Sequence, residues 1–319
     1  MATSRADQVN DLVADAYIRT ARPVASRTVA RALGVSSATV RNEFAALEDR
    51  GLLTQPHPSA GRLPTPLGFR RYALRQLPPR PLAARSRKRA VASLGGLHGS
   101  QRLRALTMLA SELSGYAVVL ELHVHDRVRA LEVHLTPLGG DRLLAVAVLE
   151  NGLTRDLTVT VDPPPEAPVL DEAERTLRAL ALPLAGMPRA LHERAVHAPE
   201  PLARTLRALA DAWPALHPVE RITHGLDLLF DEPESRDPGF LRRAARTLEH
   251  GLPNPVGEAP SDAPPELAFE QDVAMIAAPW RWSEARGRLT LVGPTRMRYG
   301  EAFSVAHGLT RTGGGAARA

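Results

Sequence analysis

Arginine and asparagine are the side chains best suited to bidentate hydrogen bonds with base edges, arginine with guanine and asparagine with adenine. They stand side by side at Arg41 and Asn42, with the small residues Ala38 and Ala45 one turn away on either side. Spacings of three and four put these residues on one face of a helix, and Val40, Phe44 and Leu47 on the opposite face. Small residues around two polar ones let a groove approach closely, so the chemistry suggested is base reading. Ser36, Ser37 and Thr39 at the start of that helix complete the expected contact set, and either serine can serve as its cap. A second group follows at 52–65, where His57, Ser59 and Arg62 lie in or beside a turn-rich tip at 56–61. Two short strands flanking such a tip make a hairpin, which can carry Arg62 to a phosphate or a minor groove, the alternative being a structural Arg62 paired with Glu48 or Asp49. Arg70 lies just beyond it and joins the set.

Catalytic and metal-binding patterns are weaker. His192-Glu193 with His197 superficially suggests a zinc site, but histidines five apart on a helix are separated by about 140° and cannot share one metal. His123 and His125 alternate onto one face of a strand, with His134 on a candidate neighbour, an arrangement common for partly exposed histidines. Asp156 and Asp162 flank a strand with no nucleophile or base beside them. Neither a Gly-x-Ser-x-Gly elbow nor a Gly-x-Gly-x-x-Gly loop occurs. The chain has no cysteine, which excludes disulfides, thiolate metal sites and cysteine nucleophiles. Lys88 is the only lysine among 40 basic residues and follows no glycine-rich loop, so a nucleotide-binding Walker loop is absent. No enzymatic activity, cofactor or metal is expected.

The elements that would position these residues can be read outward from them. Ser4 with Asp7 forms a capping pattern, and Val9, Leu12, Val13 and Ala16 continue at helical spacing to about Thr20. Pro23 breaks that helix. Ser26 is placed to cap a short second helix buried through Val29, Ala30 and Leu33. Gly34 turns the chain into the third helix, which runs to about Arg50. Two helices joined by a glycine turn and followed by a hairpin read as a winged helix-turn-helix. Charge agrees, since residues 1–90 hold 16 basic and 6 acidic side chains, a local charge of +10 on a chain whose net charge is +5. Such a footprint suits double-stranded DNA as partner.

Three stretches resemble the heat-inducible transcription repressor family HrcA: 17–28 (YIRTARPVASRT), 35–51 (VSSATVRNEFAALEDRG) and 55–65 (QPHPSAGRLPT) with Gly68-Phe69-Arg70 after it. Near the other end, 293–299 (GPTRMRY) is similar to that family's C-terminal signature. Ala25 and Phe44 depart from it, standing where the family usually has glycine and methionine. The resemblance implies a winged helix, a GAF-like α/β domain and a dimerising segment inserted into the latter. It further implies repression of chaperone operons from an inverted-repeat operator bound by a homodimer, with the GroE chaperonin assisting the active state.

The rest of the chain is consistent with an α+β multidomain architecture of that kind. Proline clusters and composition divide it into a DNA-binding domain at 1–77 and a basic, proline-rich linker at 78–98. A GAF-like domain follows at 99–165 and 218–312, with an inserted, mostly helical segment at 166–217 and a disordered tail at 313–319. A helix is expected at 103–113, and strands at 117–123, 128–136, 143–149, 153–161, 272–277 and 289–292. Gly139-Gly140 and Asn151-Gly152 supply hairpin turns. Ile222, Leu226, Leu229 and Phe230 read as helical, as does a closing segment at 301–309. Leu202, Leu206, Leu209 and Trp213 form one apolar stripe, which serves either as core or as the dimer contact. The longest apolar run, 143–149, is too short to span a membrane, and the N-terminus turns polar at once, so a cytoplasmic protein without membrane partners is expected. A different class of function, a small-molecule-responsive regulator sensing through the GAF-like domain, stands as the alternative.

Overall fold

A computed structural model of the protein describes residues 4–123, 128–216, 220–250, 263–282 and 285–313. Ser4 starts helix α1 (Arg5–Thr20): its Oγ accepts from the Asp7 amide at 3.1 Å and donates to the Asp7 carboxylate at 2.7 Å. Val9 and Val13, one turn apart, bury the inner face of α1. Helix α2 (Ser26–Leu33) begins without a side-chain cap, so Ser26 is its first residue rather than its cap. Gly34, at φ +67°, makes the left-handed turn, and Ser36 caps α3 (Ser37–Asp49) by accepting from the Thr39 amide at 3.0 Å. Strands β1 (Leu53–Thr54) and β2 (Leu63–Pro64) pair antiparallel. Beside this two-stranded sheet, Arg62 and Val24 form a single antiparallel bridge through main-chain bonds of 2.7 and 2.9 Å. Thr65 then caps α4 (Pro66–Leu74), with Pro66 in the first turn where its missing N–H costs nothing. Val9, Val13, Val24, Val29, Val40, Phe44, Leu47, Leu52 and Leu53 form one core beneath these elements.

The stretch expected as a linker carries helix α5 (Ala84–Leu94), followed by α6 (Gly99–Ser114) and strand β3 (Ala117–His123). The basic run at 85–89 hid α5 from composition, but Ala90 and Leu94, one turn apart, are both buried. Strands β4 (Ala130–Gly139), β5 (Arg142–Leu149) and β6 (Thr154–Thr160) form an antiparallel sheet of their own. Helices α7 (Ala167–Leu180), α8 (Met187–Val196) and α9 (Glu200–Ala212) pack with it, α7 on β4 and α9 on β6. The chain returns as β7 (Glu220–His224) and continues through α10 (Pro238–His250), β8 (Glu266–Glu270), β9 (Val273–Trp282), β10 (Ala285–Pro294) and α11 (Tyr299–Gly313). A five-stranded antiparallel sheet runs in the order β7-β3-β10-β9-β8. Alternation along β3 serves two cores: Val118 and Leu120 face α6 and α11, while Ala117 and Val119 join Phe240, Ala244 and Leu248 of α10.

Several expectations change. Of the four strands expected between 117 and 161, only β3 joins the sheet that continues after the excursion. Alternation reveals that a strand is half-buried, not which sheet it enters. The boundary expected at 166 falls between β6 and α7, two elements of one excursion whose sheet and helices share a core. Ile222 lies on β7 and not on a helix; Gly225, at φ +76°, ends that strand, and a short 3-10 turn, Leu226–Leu229, follows. Gly313, expected to open the tail, is the last residue of α11, and 314–319 lie outside the described residues. Among the described residues no helix is long and apolar enough to cross a membrane.

Candidate nucleic-acid interface

Helix α3 turns Val40, Phe44 and Leu47 into the core and leaves Ala38, Arg41, Asn42 and Ala45 exposed. Arg41 and Asn42 have no side-chain hydrogen bond or ion pair among the described residues, so both keep their full donor capacity. Ser36 and Thr39 are committed locally: Ser36 Oγ caps the helix and lies 2.9 Å from Thr39 Oγ1. Ser37, the first helical residue, is half-buried. The expected set therefore divides into four outward residues and a cap that fixes where their helix begins.

The hairpin tip is closed from within. Gln55 Nε2 donates to the carbonyls of Pro58 at 2.8 Å and Ala60 at 3.0 Å, leaving His57 and Ser59 exposed at the end. Arg62, by contrast, is engaged. Its Nε donates to Glu48 Oε2 at 3.1 Å and its terminal nitrogen lies 2.9 Å from the same oxygen, tying the hairpin to the last turn of α3. Gly61 explains why the neighbouring position is small: a Cβ there would stand 2.3 Å from the Val24 carbonyl oxygen. Ser26, Arg41, Gln55, Ser59 and Arg62 line an open depression between α2, α3 and the tip. Arg70 is exposed on α4.

Charge is sorted between two sides of this unit. The acids of α1 pair with α4 and with α1 itself: Asp7 with Arg71 at 2.6 Å and Arg75 at 3.6 Å, Asp11 with Arg75 at 2.9 Å, Asp15 with Arg19 at 2.8 Å. Tyr72 also donates to Asp15 at 2.6 Å. The Arg71 hydrogen bond, helped by Ser4, holds the Asp7 carboxyl down at about 2. Arg22, Arg27, Arg31, Arg41 and Arg50 are exposed without an ion pair among the described residues. The acids of α1 are thus paired, and around α2 and α3 five exposed arginines outnumber the two acids there without an ion pair among the described residues, Glu43 and Asp49. Arg22, Arg27 and Arg31 were not singled out from the sequence. A signal existed, because no Asp or Glu occurs between Asp15 and Glu43.

The other candidates fall elsewhere. Leu206, Leu209 and Trp213 are buried inside the excursion's own core, and Leu202 is half-buried, so this stripe is core and not an available contact surface. His134 lies 3.1 Å from Glu132 and 4.0 Å from Glu174, and His192 lies 3.1 Å from Asp211. His123 ends β3, and His125 lies outside the described residues.

Residues 100–302 match the family described as the HrcA protein C-terminal domain. The chain is 31% identical over 327 residues to the heat-inducible transcription repressor HrcA of Parasynechococcus marenigrum, covering 97% of each. It is 32% identical over 336 residues to that of Nitratidesulfovibrio vulgaris, covering 96% of this chain and 93% of the relative. The fold is similar to a crystal structure described as that of a hypothetical protein, with a TM-score of 0.61 at 21% identity over 98% of this chain and 96% of that one. A family match over most of the chain, joined to end-to-end likeness at this identity, leaves one assignment: the chain belongs to the HrcA family of heat-inducible transcription repressors.

Proposed function

We propose that residues 1–77 are a winged helix-turn-helix whose α3 reads the major groove of an inverted-repeat operator, and that the protein represses chaperone operons as a homodimer. The observation that carries this reading is the outward face of α3, where Arg41 and Asn42 are exposed and unpartnered between two alanines. Asn42 suits a bidentate contact with adenine, and Arg41 one with guanine or a phosphate. His57 and Ser59 at the hairpin tip, Arg70 on α4 and the arginines around α2 supply backbone contacts. Arg62 holds the hairpin against α3 through Glu48 and acts by position. Membership of a repressor family sets the enzymatic readings aside.

The five-stranded sheet with its helices corresponds in this reading to the GAF-like domain, and the excursion 130–216 to the dimerising insertion. With Leu206, Leu209 and Trp213 interior, the dimer contact passes to the outer face of its sheet. There Leu144, Val146 and Val148 of β5 are half-buried, flanked by Thr136 and His134 on β4. Dependence on the GroE chaperonin completes the proposal: a marginally stable dimer would lose its helper when heat diverts chaperonin to other clients. Gel shifts on an inverted-repeat duplex, before and after mild heating and with chaperonin added, test this. Operator binding that heating abolishes and chaperonin restores is expected. A heat-stable repressor indifferent to chaperonin would remove that mechanism and favour effector sensing.

A further inference from the structure

Helix α4 follows the hairpin without a spacer and buries its apolar side in the C-terminal core, against which Tyr17 of α1 also packs while touching the N-terminal one. Phe69, 2% exposed, and Ala73 lie in the same continuous core as Leu82, Tyr299 and Phe303. Tyr299, 1% exposed, is ringed by Phe69 at 6.4 Å between centroids, Tyr72 at 6.2 Å, Phe269 at 6.3 Å and Phe303 at 6.4 Å. Tyr17 adds a sixth ring, 6.0 Å from Phe69. Six of the chain's thirteen aromatic residues thus gather at one junction, drawn from α1, α4, β8 and α11. Rings at these separations prefer tilted or edge-to-face arrangements, so the cluster adds a directional preference to the area it buries.

The turn that presents Tyr299 is itself anchored. Arg296 donates to both carboxylate oxygens of Glu234, at 2.8 and 3.0 Å, and also pairs with Glu232, with all three side chains largely buried. The Arg298 amide donates to Tyr116 Oη at 2.8 Å. On the other side of the junction, Gly68 of α4 lies so close to the residue before β1 that a Cβ would meet the Leu52 carbonyl oxygen at 2.1 Å. Thr65 Oγ1 donates to the Gly51 carbonyl at 2.6 Å. Main-chain contact therefore runs from the end of α3 through Leu52 into α4, and ring contact runs from α4 into Tyr299.

We propose that the Tyr299 junction, held by Arg296, sets which half-site spacing the repressor accepts, by fixing the direction of α3 relative to the C-terminal part of the chain. This rests on the DNA-binding reading of α3 and adds to it specificity determinants that touch no DNA. Two α3 helices mounted rigidly on a two-fold dimer match one separation and one phase of the duplex. A loosely tethered pair would tolerate many.

The probe is the inverted-repeat duplex that the full-length protein selects from randomised DNA, together with derivatives carrying two or five extra base pairs between the halves. Five base pairs move a half-site about half a turn around the helix. Wild-type protein should lose at least about tenfold in affinity on the five-base-pair derivative, a difference of about 1.4 kcal/mol. Arg296→Met and Phe269→Leu should bind the selected duplex more weakly, keep their affinity for a single half-site within about threefold, and shrink the spacing penalty to about threefold or less. Two variants on different sides of the junction guard against one failing to fold, which circular dichroism checks. An unchanged penalty in folded variants, or a wild type indifferent to spacing, would overturn the proposal. A wild type that selects no duplex would instead remove the DNA-binding reading, and this proposal with it.

Discussion

Gly61→Ala is a small change aimed at the seam between the hairpin and the helices. Gly61 does not have the positive φ that favours glycine, so an alanine there suffers no strain from its backbone angles. The obstacle is contact: the added Cβ would lie 2.3, 2.4 and 2.8 Å from the oxygen, carbon and nitrogen of Val24. All three are backbone atoms, and no rotamer can relieve them. Reaching ordinary van der Waals separation requires opening the seam by about 1 Å. That lengthens the Val24–Arg62 main-chain bonds, now 2.7 and 2.9 Å, beyond useful geometry. Two bonds at about 0.5–1.5 kcal/mol each, with partial exposure of Val24, total about 2–4 kcal/mol. Hydrogen exchange at the Val24 and Arg62 amides is the direct assay, and about 30- to 1000-fold loss of protection is expected. Ser59→Ala, two residues away and exposed, should leave both amides unchanged. Protection in Gly61→Ala within about threefold of wild type would refute the reasoning, because the seam would then be soft enough to absorb a methyl group.

Other perturbations separate the roles of individual residues. Asn42→Ala should lose about 1–3 kcal/mol of discrimination between operator and random duplex while random-duplex affinity holds; equal losses on both would count against base reading. Arg41→Ala should flatten the slope of log affinity against log salt by about 1, whereas Arg62→Ala, already neutralised by Glu48, should leave the slope alone and loosen the hairpin. Asp7 has a depressed folded-state pKa, about 2 against an ordinary 3.8, so its stabilising effect is complete above 3.8 and fades as pH falls towards 2. Thermal melts at pH 5 and pH 2.5 should therefore show a larger acid penalty for wild type than for Asp7→Asn. Val146→Asp, on the outer sheet face of the excursion, should shift the protein towards monomer in sedimentation while circular dichroism shows it still folded; an unchanged dimer would place the contact elsewhere.

Much of the N-terminal unit was written locally. Ser4, Pro23, Gly34 and Ser36 act on their own turn of chain, through caps, a missing N–H or a left-handed angle, so α1, α3 and their order could be read from single positions and short spacings. The outward face of α3 was legible for the same reason, since helical periodicity decides which residues share a side. What local chemistry does not encode is the choice of partner. Strands 130–160 read as strands just as β3 does, yet among the described residues they form a sheet of their own, and the stripe ending at Trp213 is apolar whether it faces its own sheet or another chain. Helix α5 hid behind its arginines because a charged exposed side says nothing of the two residues it buries. For Arg62 the sequence leaves a DNA contact and a pair with Glu48 or Asp49 both open, and the fold decides by setting Glu48, 14 residues away, beside it. Tyr299 carries no signal of its contacts with Phe69 and Tyr72 more than two hundred residues earlier. Spacing along a chain determines which side chains share a face, and only the packed structure determines what that face meets.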